Sequence, residues 1–382
     1  MRKFMKNNAV QSILISVLCI ILGMLIGYIV LLFIEPSGAA DAILSVIKNF
    51  FFYPEGAVRT KYFGATLVKT APLVMCSLSI LFAYKVGLFN IGAAGQYVAG
   101  AALGIYAALA LGCNWFICLL LATAAGAALG ALTGALKAYC NVNEVISGIM
   151  LNWIALYSTN MLLTGVKNPN TPYTINISAK NPDALLPTLG LDTLLNNKYA
   201  SVAIPLVILI VLLIWVILSK TKFGYELRAT GLNKNAAKYC GMKEKRNIIV
   251  TLIISGALAG MGAAFLYLTD IEQWQCSASS VPAMGFNGIA AAFLGCLDPI
   301  GSLLSSFFIQ HITSGGGYVD KTVYCSQISD LISSIIIYLC GFVLFFREYI
   351  NRRIALREER ELENALEAAK AEDSDNKGGE GK

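Results

Sequence analysis

The strongest constraint on this chain is a succession of apolar runs, most of them about as long as a bilayer is thick. Runs extend over Ser12–Ile34, Ala65–Ala83, Ile91–Leu111, Trp115–Leu136, Val145–Leu163, Ala200–Leu218, Ile248–Leu268 and Ile328–Phe346. Each comes close to the roughly 20 residues that carry a helix across a hydrocarbon core of about 30 Å. Two further segments, Ala283–Leu297 and Ser302–Thr313, are too short to span singly. Composition excludes the alternative of a large water-soluble core. The chain is 57% hydrophobic and 14% charged, against about 25% charged in soluble domains. So few charges cannot cover a wetted surface, whereas apolar side chains facing acyl tails are at ease. The expected fold class is therefore an all-α polytopic membrane protein with about ten membrane segments.

The connections set an expected orientation. One loop carries Lys220, Lys222, Arg228, Lys234, Lys238, Lys243, Lys245 and Arg246, opposed only by Glu226 and Glu244. Such an excess of cations marks the cytoplasmic side. The basic start (Arg2, Lys3, Lys6) and the run Arg347, Arg352, Arg353 and Arg357 belong there too. Alternating spans satisfy all three if the two short segments form a pair that enters and returns on the outer side, turning at Leu297-Asp298-Pro299-Ile300-Gly301. The stretch Gly165–Asn197, with Pro, Asn and Thr, then reads as an external loop. Residues 1–346 are expected to form the membrane domain, with 220–246 as a cytoplasmic loop. Residues 347–382 read as a charged cytoplasmic tail, helical at first and disordered at its Asp/Ser/Gly/Lys end. The first run is longer than a signal peptide's apolar region; a signal-anchor reading outweighs cleavage near Gly38-Ala39-Ala40. The net charge of +6 reflects these loops, not a nucleic-acid surface. The scattered cysteines, such as Cys19, Cys118 and Cys340, read as small hydrophobes, since disulfide frameworks belong to short secreted domains.

Catalysis finds little support. The single histidine, His311, sits late in a short segment and reads as a pore-lining or packing residue. No His or Cys spacing suggests a metal, and no G-x-x-x-x-G-K-[ST] phosphate loop occurs. Lys85, Lys137 and Glu144 lie at span ends, Asp298 in a turn and Asp330 near an end. The deep polar residues read as neutral (Asn152, Asn160, Gln310, Asn287), which fits a path for a hydroxyl- or amide-rich solute better than a proton relay. A broken helix is expected at Gly87-Leu88-Phe89-Asn90-Ile91-Gly92-Ala93-Ala94-Gly95-Gln96, where glycines weaken the helix and permit close backbone approach; tight packing through small residues is the competing reading. Gly126, Gly130 and Gly134, spaced by four, read as a packing ridge. In the basic loop, Asn233 can N-cap a short helix that Gly241 ends. Such a helix places Ala236, Ala237 and Cys240 on a small side suited to docking, against the alternative of a merely solvated loop. Phe286-Asn287-Gly288-Ile289-Ala290-Ala291 echoes Phe89-Asn90-Ile91-Gly92-Ala93-Ala94, as an inverted repeat would. The candidate pathway residues are Phe89, Asn90, Gln96, Asn152, Phe286 and Asn287, with the two phenylalanines able to stack on a base or sugar.

These blocks resemble a known family. Lys85 to Gln96 is similar to the signature of ABC importer permeases of the branched-chain amino acid, ribose and nucleoside group. Asn143-Glu144-Val145-Ile146-Ser147-Gly148-Ile149-Met150-Leu151-Asn152 resembles the group's next block. Gly231, Asn233, Ala236, Ala237, Gly241 and Met242 match its ATPase-coupling loop, and Gly285 to Gly295 with Pro299-Ile300-Gly301 its late block. The resemblance covers roughly residues 60–345 and implies a fold like that of the vitamin B12 importer. It implies a multi-pass subunit of the bacterial inner membrane with both termini cytoplasmic and no cofactor or ATPase site of its own. Partner ATPases would hydrolyse ATP, a second permease or a copy would complete the membrane unit, and an extracytoplasmic binding lipoprotein would deliver solute. The match is strongest to the nucleoside branch, from which Ala94 departs, that branch often carrying Glu there. A simple sugar such as ribose or galactose is the alternative solute, and a stand-alone secondary transporter or channel the alternative mechanism.

Overall fold

A backbone in hydrocarbon has to satisfy its own N–H and C=O groups, and this chain does so as helices. The computed structural model describes residues 8–319 without a break and scattered positions between 331 and 364. The run Ile328–Phe346 and the tail therefore lie largely outside the described residues. The helices used below are α1 (Asn8–Ile34), α2 (Ala39–Lys48), α3 (Gly56–Tyr84), α4 (Ala93–Leu109), α5 (Trp115–Cys140), α6 (Glu144–Leu163), α7 (Ala203–Lys220), α8 (Lys222–Leu232), α9 (Lys234–Tyr239), α10 (Glu244–Tyr267), α11 (Met284–Leu294) and α12 (Pro299–Gly315). No β-sheet forms among the described residues; two isolated bridges, Lys167 to Thr174 and Tyr173 to Gln275, are the extent of strand pairing there. Helices α3, α5, α6, α7 and α10 are long and apolar enough to cross a membrane.

Most boundaries follow local chemistry. The Asn114 side chain accepts from Ile117 N at 3.0 Å to start α5, and α5 ends where Asn141 takes a left-handed conformation. Asn143 caps α6 through Val145 N at 2.8 Å, and Asp298 caps α12 through the amides of Ile300 and Gly301, both at 3.1 Å. Two features depart from the sequence reading. Helix α3 begins at Gly56, well before Ala65, because the segment preceding the apolar run continues the same helix. An unforeseen helix, α2, occupies Ala39–Lys48, so the Gly38-Ala39-Ala40 step is a helix start with Ala39 fully buried.

The chain ends of these helices gather into two faces. At one, here the basic end, lie Tyr84, Lys137 bonded to Glu144 at 2.7 Å, and the α8–α9 segment. At the other, the loop end, Asn181 donates to the carbonyls of Ala108 and Cys113, Trp274 Nε1 donates to Asn160 at 3.0 Å, and Asn197 donates to Lys61 O at 2.9 Å. The stretch 165–202 folds over this face. Helix α11 starts inside the bundle, with Gly288 against Cys76 of α3, and runs toward the basic end, where Phe293 meets Tyr84 edge-on at 5.6 Å. Helix α12 returns beside it: Ser305 Oγ donates to Ala291 O and, further along, His311 Nε2 meets Ile47 O at 2.9 Å. The two short segments thus pack side by side as an antiparallel pair.

Helices α3 and α10 form the middle of the bundle, and α10 lies on α5 with backbone against backbone. A methyl group on Gly126 would overlap the Gly256 carbonyl, one on Gly130 the Leu252 carbonyl, and one on Gly260 the Ala122 carbonyl. Gly134 meets Ile249 Cα at 3.0 Å on the same terms. The ridge read from the spacing of four is therefore a helix–helix seam. Small residues suit it because lipid supplies no hydrophobic drive between helices and contact area has to come from close approach. A Gly130→Ala substitution is expected to cost about 1–3 kcal/mol through overpacking, whereas Gly165→Ala, with open space around the new methyl, should stay within about 0.5 kcal/mol. Thermal unfolding of the detergent-solubilised protein checks both; equal midpoints would reject the seam.

Candidate functional site

The break between α3 and α4 is built by glycine. Gly87 adopts φ +74°, which a side chain disfavours, and Gly231 of α8 lies directly against it. A methyl on Gly231 would overlap the Lys85 carbonyl, and one on Gly87 would stand 3.3 Å from Gly231 O. The basic loop therefore touches the break backbone to backbone. From Gly87 the chain re-enters the bundle, and Asn90 precedes α4 with its side chain buried.

Asn90 is the hub of a buried polar network. Its Nδ2 donates to Gln96 Oε1 at 2.8 Å and to Ser255 Oγ at 2.6 Å, with Ser79 Oγ at 3.4 Å. Ser255 Oγ donates to Ser79 O at 2.7 Å. The network ties the break to both central helices, α3 and α10. A buried amide without such partners would carry a large desolvation cost. Asn152 plays a different part: its Oδ1 accepts from Gly95 N at 2.7 Å and its Nδ2 donates to Ile91 O at 3.1 Å. It closes two backbone groups that the interrupted helix leaves open, and a Cβ on Gly95 would lie 2.6 Å from that Oδ1.

The structure brings three of the six candidate pathway residues, Asn90, Gln96 and Asn152, into this break. The other three lie alongside it. Phe89 is half-buried against Phe293, with ring centres 6.4 Å apart. Phe286 is exposed and Asn287 half-buried on α11. The two echoing blocks do meet: a Cβ on Gly285 would lie 2.5 Å from Ala94 Cα. They run in opposite directions, α4 toward the loop end and α11 toward the basic end. That contact also accounts for Ala94, because a longer side chain there would strike α11. Asn160 and His311 are engaged structurally. Asn160 holds Trp274 and Ala278, while His311 lies between Ile47 O and Asn49 Nδ2, the latter at 3.1 Å.

In the basic loop, Asn233 Oδ1 accepts from Ala236 N at 3.0 Å, and Gly241 takes φ +81° just beyond the helix end. Both capping expectations hold. The expected small face splits, because Ala237 is buried while Ala236 and Cys240 are exposed. The outward side instead carries two large side chains that the sequence reading passed over, Leu232 (89% exposed) and Tyr239 (93% exposed). Their signal was present as apolar residues flanking a capped helix. A second omission is Lys69. It stands near the middle of α3, inside the run Ala65–Ala83, and pairs with Glu272 at 3.0 Å.

Comparison with known proteins places this architecture. Residues 62–341 match the family model described as branched-chain amino acid transport system, permease component. A guanosine ABC transporter permease protein of Bacillus subtilis is 31% identical over 332 residues, which cover 86% of this chain and 92% of that protein. A nucleoside ABC transporter permease protein of Lactococcus lactis is 29% identical over 92% of this chain and 96% of its own length. A glucose ABC transporter permease protein of Haloferax volcanii is 28% identical, covering 76% and 79%. No solved structure matches the chain. With apolar helices of spanning length and a family match over most of its residues, the chain is an integral membrane protein that belongs to the branched-chain amino acid transport system permease component family.

Proposed function

We propose that this protein is the membrane-spanning permease subunit of an ATP-driven ABC importer, and that its solute is a nucleoside. The observation that carries the mechanism is the backbone contact of Gly231 with Lys85 and Val86, which joins a capped surface helix to the start of the polar break. On this reading the basic end faces the cytoplasm and α8–α9 receives a partner ATPase, with Leu232 and Tyr239 as anchors and Gly231, Asn233, Ala236, Ala237, Gly241 and Met242 shaping the loop. About ten membrane segments, counting the α11–α12 pair and the run Ile328–Phe346, give a fold like that of the vitamin B12 importer. A second permease subunit completes the path, and an extracytoplasmic binding protein delivers solute at the loop end. The cell membrane houses the assembly, with both termini inside.

The solute reading rests on the neutral character of the break and on the relatives. Asn90 and Gln96 present amides and no charge, which suits a hydroxyl- and amide-rich solute. Phe89, Phe286 and Asn287 lie beside the break, where aromatic faces can stack on a base. Two of the relatives named above are permeases for guanosine or nucleosides and one for glucose, so a simple sugar is the competing solute. Competition separates them: uptake of labelled guanosine into cells carrying the full system should fall with excess unlabelled nucleosides and not with ribose or glucose. The opposite pattern selects the sugar. The chain alone in liposomes should move no solute down a gradient; transport without an ATPase would reject the importer.

Two substitutions divide the site. Asn90→Ala removes the hub while leaving the helices, and uptake should fall at least about tenfold, equivalent to roughly 1.4 kcal/mol, at normal expression. Asn152→Ala should instead lower thermal stability by about 1–3 kcal/mol, since Gly95 N loses its buried acceptor. At the basic end, Leu232→Ala with Tyr239→Ala should reduce uptake by about tenfold or more, as loss of anchors does at protein interfaces. The thermal midpoint should hold, both side chains being exposed. Unchanged uptake would remove α8–α9 as the docking element.

A further inference from the structure

Three polar residues lie in line on α10. Asn247, Thr251 and Ser255 are spaced by four, so one helix face carries all three, and each is fully buried. One end of this line is the network around Asn90, whose Nδ2 donates to Ser255 Oγ at 2.6 Å. The other end is held by α8. Asn247 Nδ2 donates to Thr230 Oγ1 at 3.1 Å, and Thr230 in turn donates to Glu226 O at 2.7 Å. The Thr230 proton is committed to that carbonyl, so its oxygen can only accept from Asn247, which fixes the amide with Nδ2 toward α8. Thr230 directly precedes Gly231, whose backbone lies on Lys85 and Val86. Asn247 therefore holds α8 from one side at the point where α3 meets it from the other.

The middle of the line is open. Asn247 Oδ1 and Thr251 Oγ1 are buried and have no hydrogen-bond partner among the described residues. Thr251 also departs from a habit of this chain. Thr66, Thr70, Thr133 and Thr159, all helical and buried, each donate to the carbonyl four residues back. A buried donor and a buried acceptor left open one turn apart are costly, and they are complementary. Resting on the importer reading above, we propose that Asn247 is a positioning residue, a latch with two holding points. In this structure its amide holds Thr230. When a partner ATPase displaces α8, the amide releases Thr230 and bonds the Thr251 hydroxyl. One hydrogen bond replaces another, so neither position of α8 leaves Asn247 without a partner. Helix α8 then has two discrete places against α10 in place of a continuous range. The latch sets when Gly231 shifts against Lys85 and the start of the break.

Thr251→Val separates the latch from a passive arrangement. A hydroxyl that never finds a partner only costs stability, and an apolar group of the same shape replaces it without harm. A second holding point is needed once α8 moves. In the permease assembled with its ATPase, a non-hydrolysable ATP analogue should raise hydrogen exchange across residues 87–96 by about fivefold or more, the low end of an allosteric coupling. Thr251→Val should abolish that response while the thermal midpoint holds or rises. Thr251→Ser, which keeps the hydroxyl, should restore it, and Asn247→Leu should abolish it as well. An assembled complex that responds alike in every variant, or not at all in the wild type, overturns the latch alone. So does loss of the response in Thr251→Val with a lowered midpoint and no rescue by Thr251→Ser, which marks general loosening. Failure of any ATPase to assemble with the chain overturns the importer reading and the latch with it. The readout needs no solute, so it is independent of whether uptake identifies a nucleoside.

Discussion

The close backbone contact between α5 and α10 is the constraint on which the rest of the bundle depends. In water, two helices could associate by withdrawing apolar surface. In lipid they gain nothing by that route and have to gain from packing and hydrogen bonds. Gly126, Gly130, Gly256 and Gly260 remove the side chains that would hold the axes apart. With α10 drawn onto α5 on one side, another of its faces turns Ser255 toward Ser79 of α3, and the polar network becomes possible. A helix held further out by larger residues would leave Asn90 buried without its acceptor on α10. The seam and the network are therefore one arrangement seen at two places.

The same economy explains why the break survives. An interrupted helix inside a bundle exposes N–H and C=O groups, and each is answered by a specific side chain or by nearby backbone. Asn152 answers Gly95 and Ile91, while Leu88 N returns to Ala83 O at 3.2 Å. Glycine at 92, 95 and 148 lets α6 approach closely enough for Asn152 to reach: a Cβ on Gly148 would lie 2.8 Å from Gly92 N. Small residues here serve close packing and a broken helix together, and the two readings weighed from the spacing turn out to be compatible.

Much of this was legible in the sequence because its causes are local. Apolar runs of bilayer length identify helices wherever they fall, and Asn233 and Gly241 mark a short helix because capping and the left-handed conformation depend on adjacent residues. The spacing of Gly126, Gly130 and Gly134 betrays a face, since helical geometry alone puts them in line. What escaped depends on distant partners. Nothing near Lys69 announces Glu272, and nothing in α2, an amphipathic decamer, announces the groove on α12, where a methyl on Gly315 would overlap the Val46 carbonyl. The outward aim of Leu232 and Tyr239 likewise depends on which side of α9 the bundle occupies, and Ala237 marks that side only once it is seen buried. Asn152 bonds the backbone at Gly95 and Ile91, which its sequence position does not announce, because polarity and depth do not distinguish an amide that meets a solute from one that meets a backbone.

Motion in such a bundle has to be taken up where regular packing stops, since close-packed interiors do not deform continuously. The α5–α10 seam is poorly placed for it, because sliding would drive carbonyls into glycine backbones. The irregular points lie elsewhere: the left-handed Gly87, the missing rung at Pro72, and the connection 268–283. One follows α3, one lies within it, and the third carries the partner of Lys69 on α3. Under the proposed function, a push on α8 reaches Lys85 and Val86 through Gly231 with no flexible side chain between them. It therefore arrives as displacement of backbone and not as rotation of a rotamer. Among the described residues, α3 touches α8 at its end, the polar network at Ser79 and the ion pair with Glu272 near its middle, while α10 reaches α8 through Asn247 and Thr230 and the network through Ser255. Under the proposed function, force from the basic end can pass along either helix, and Pro72 is where the two halves of α3 can move apart.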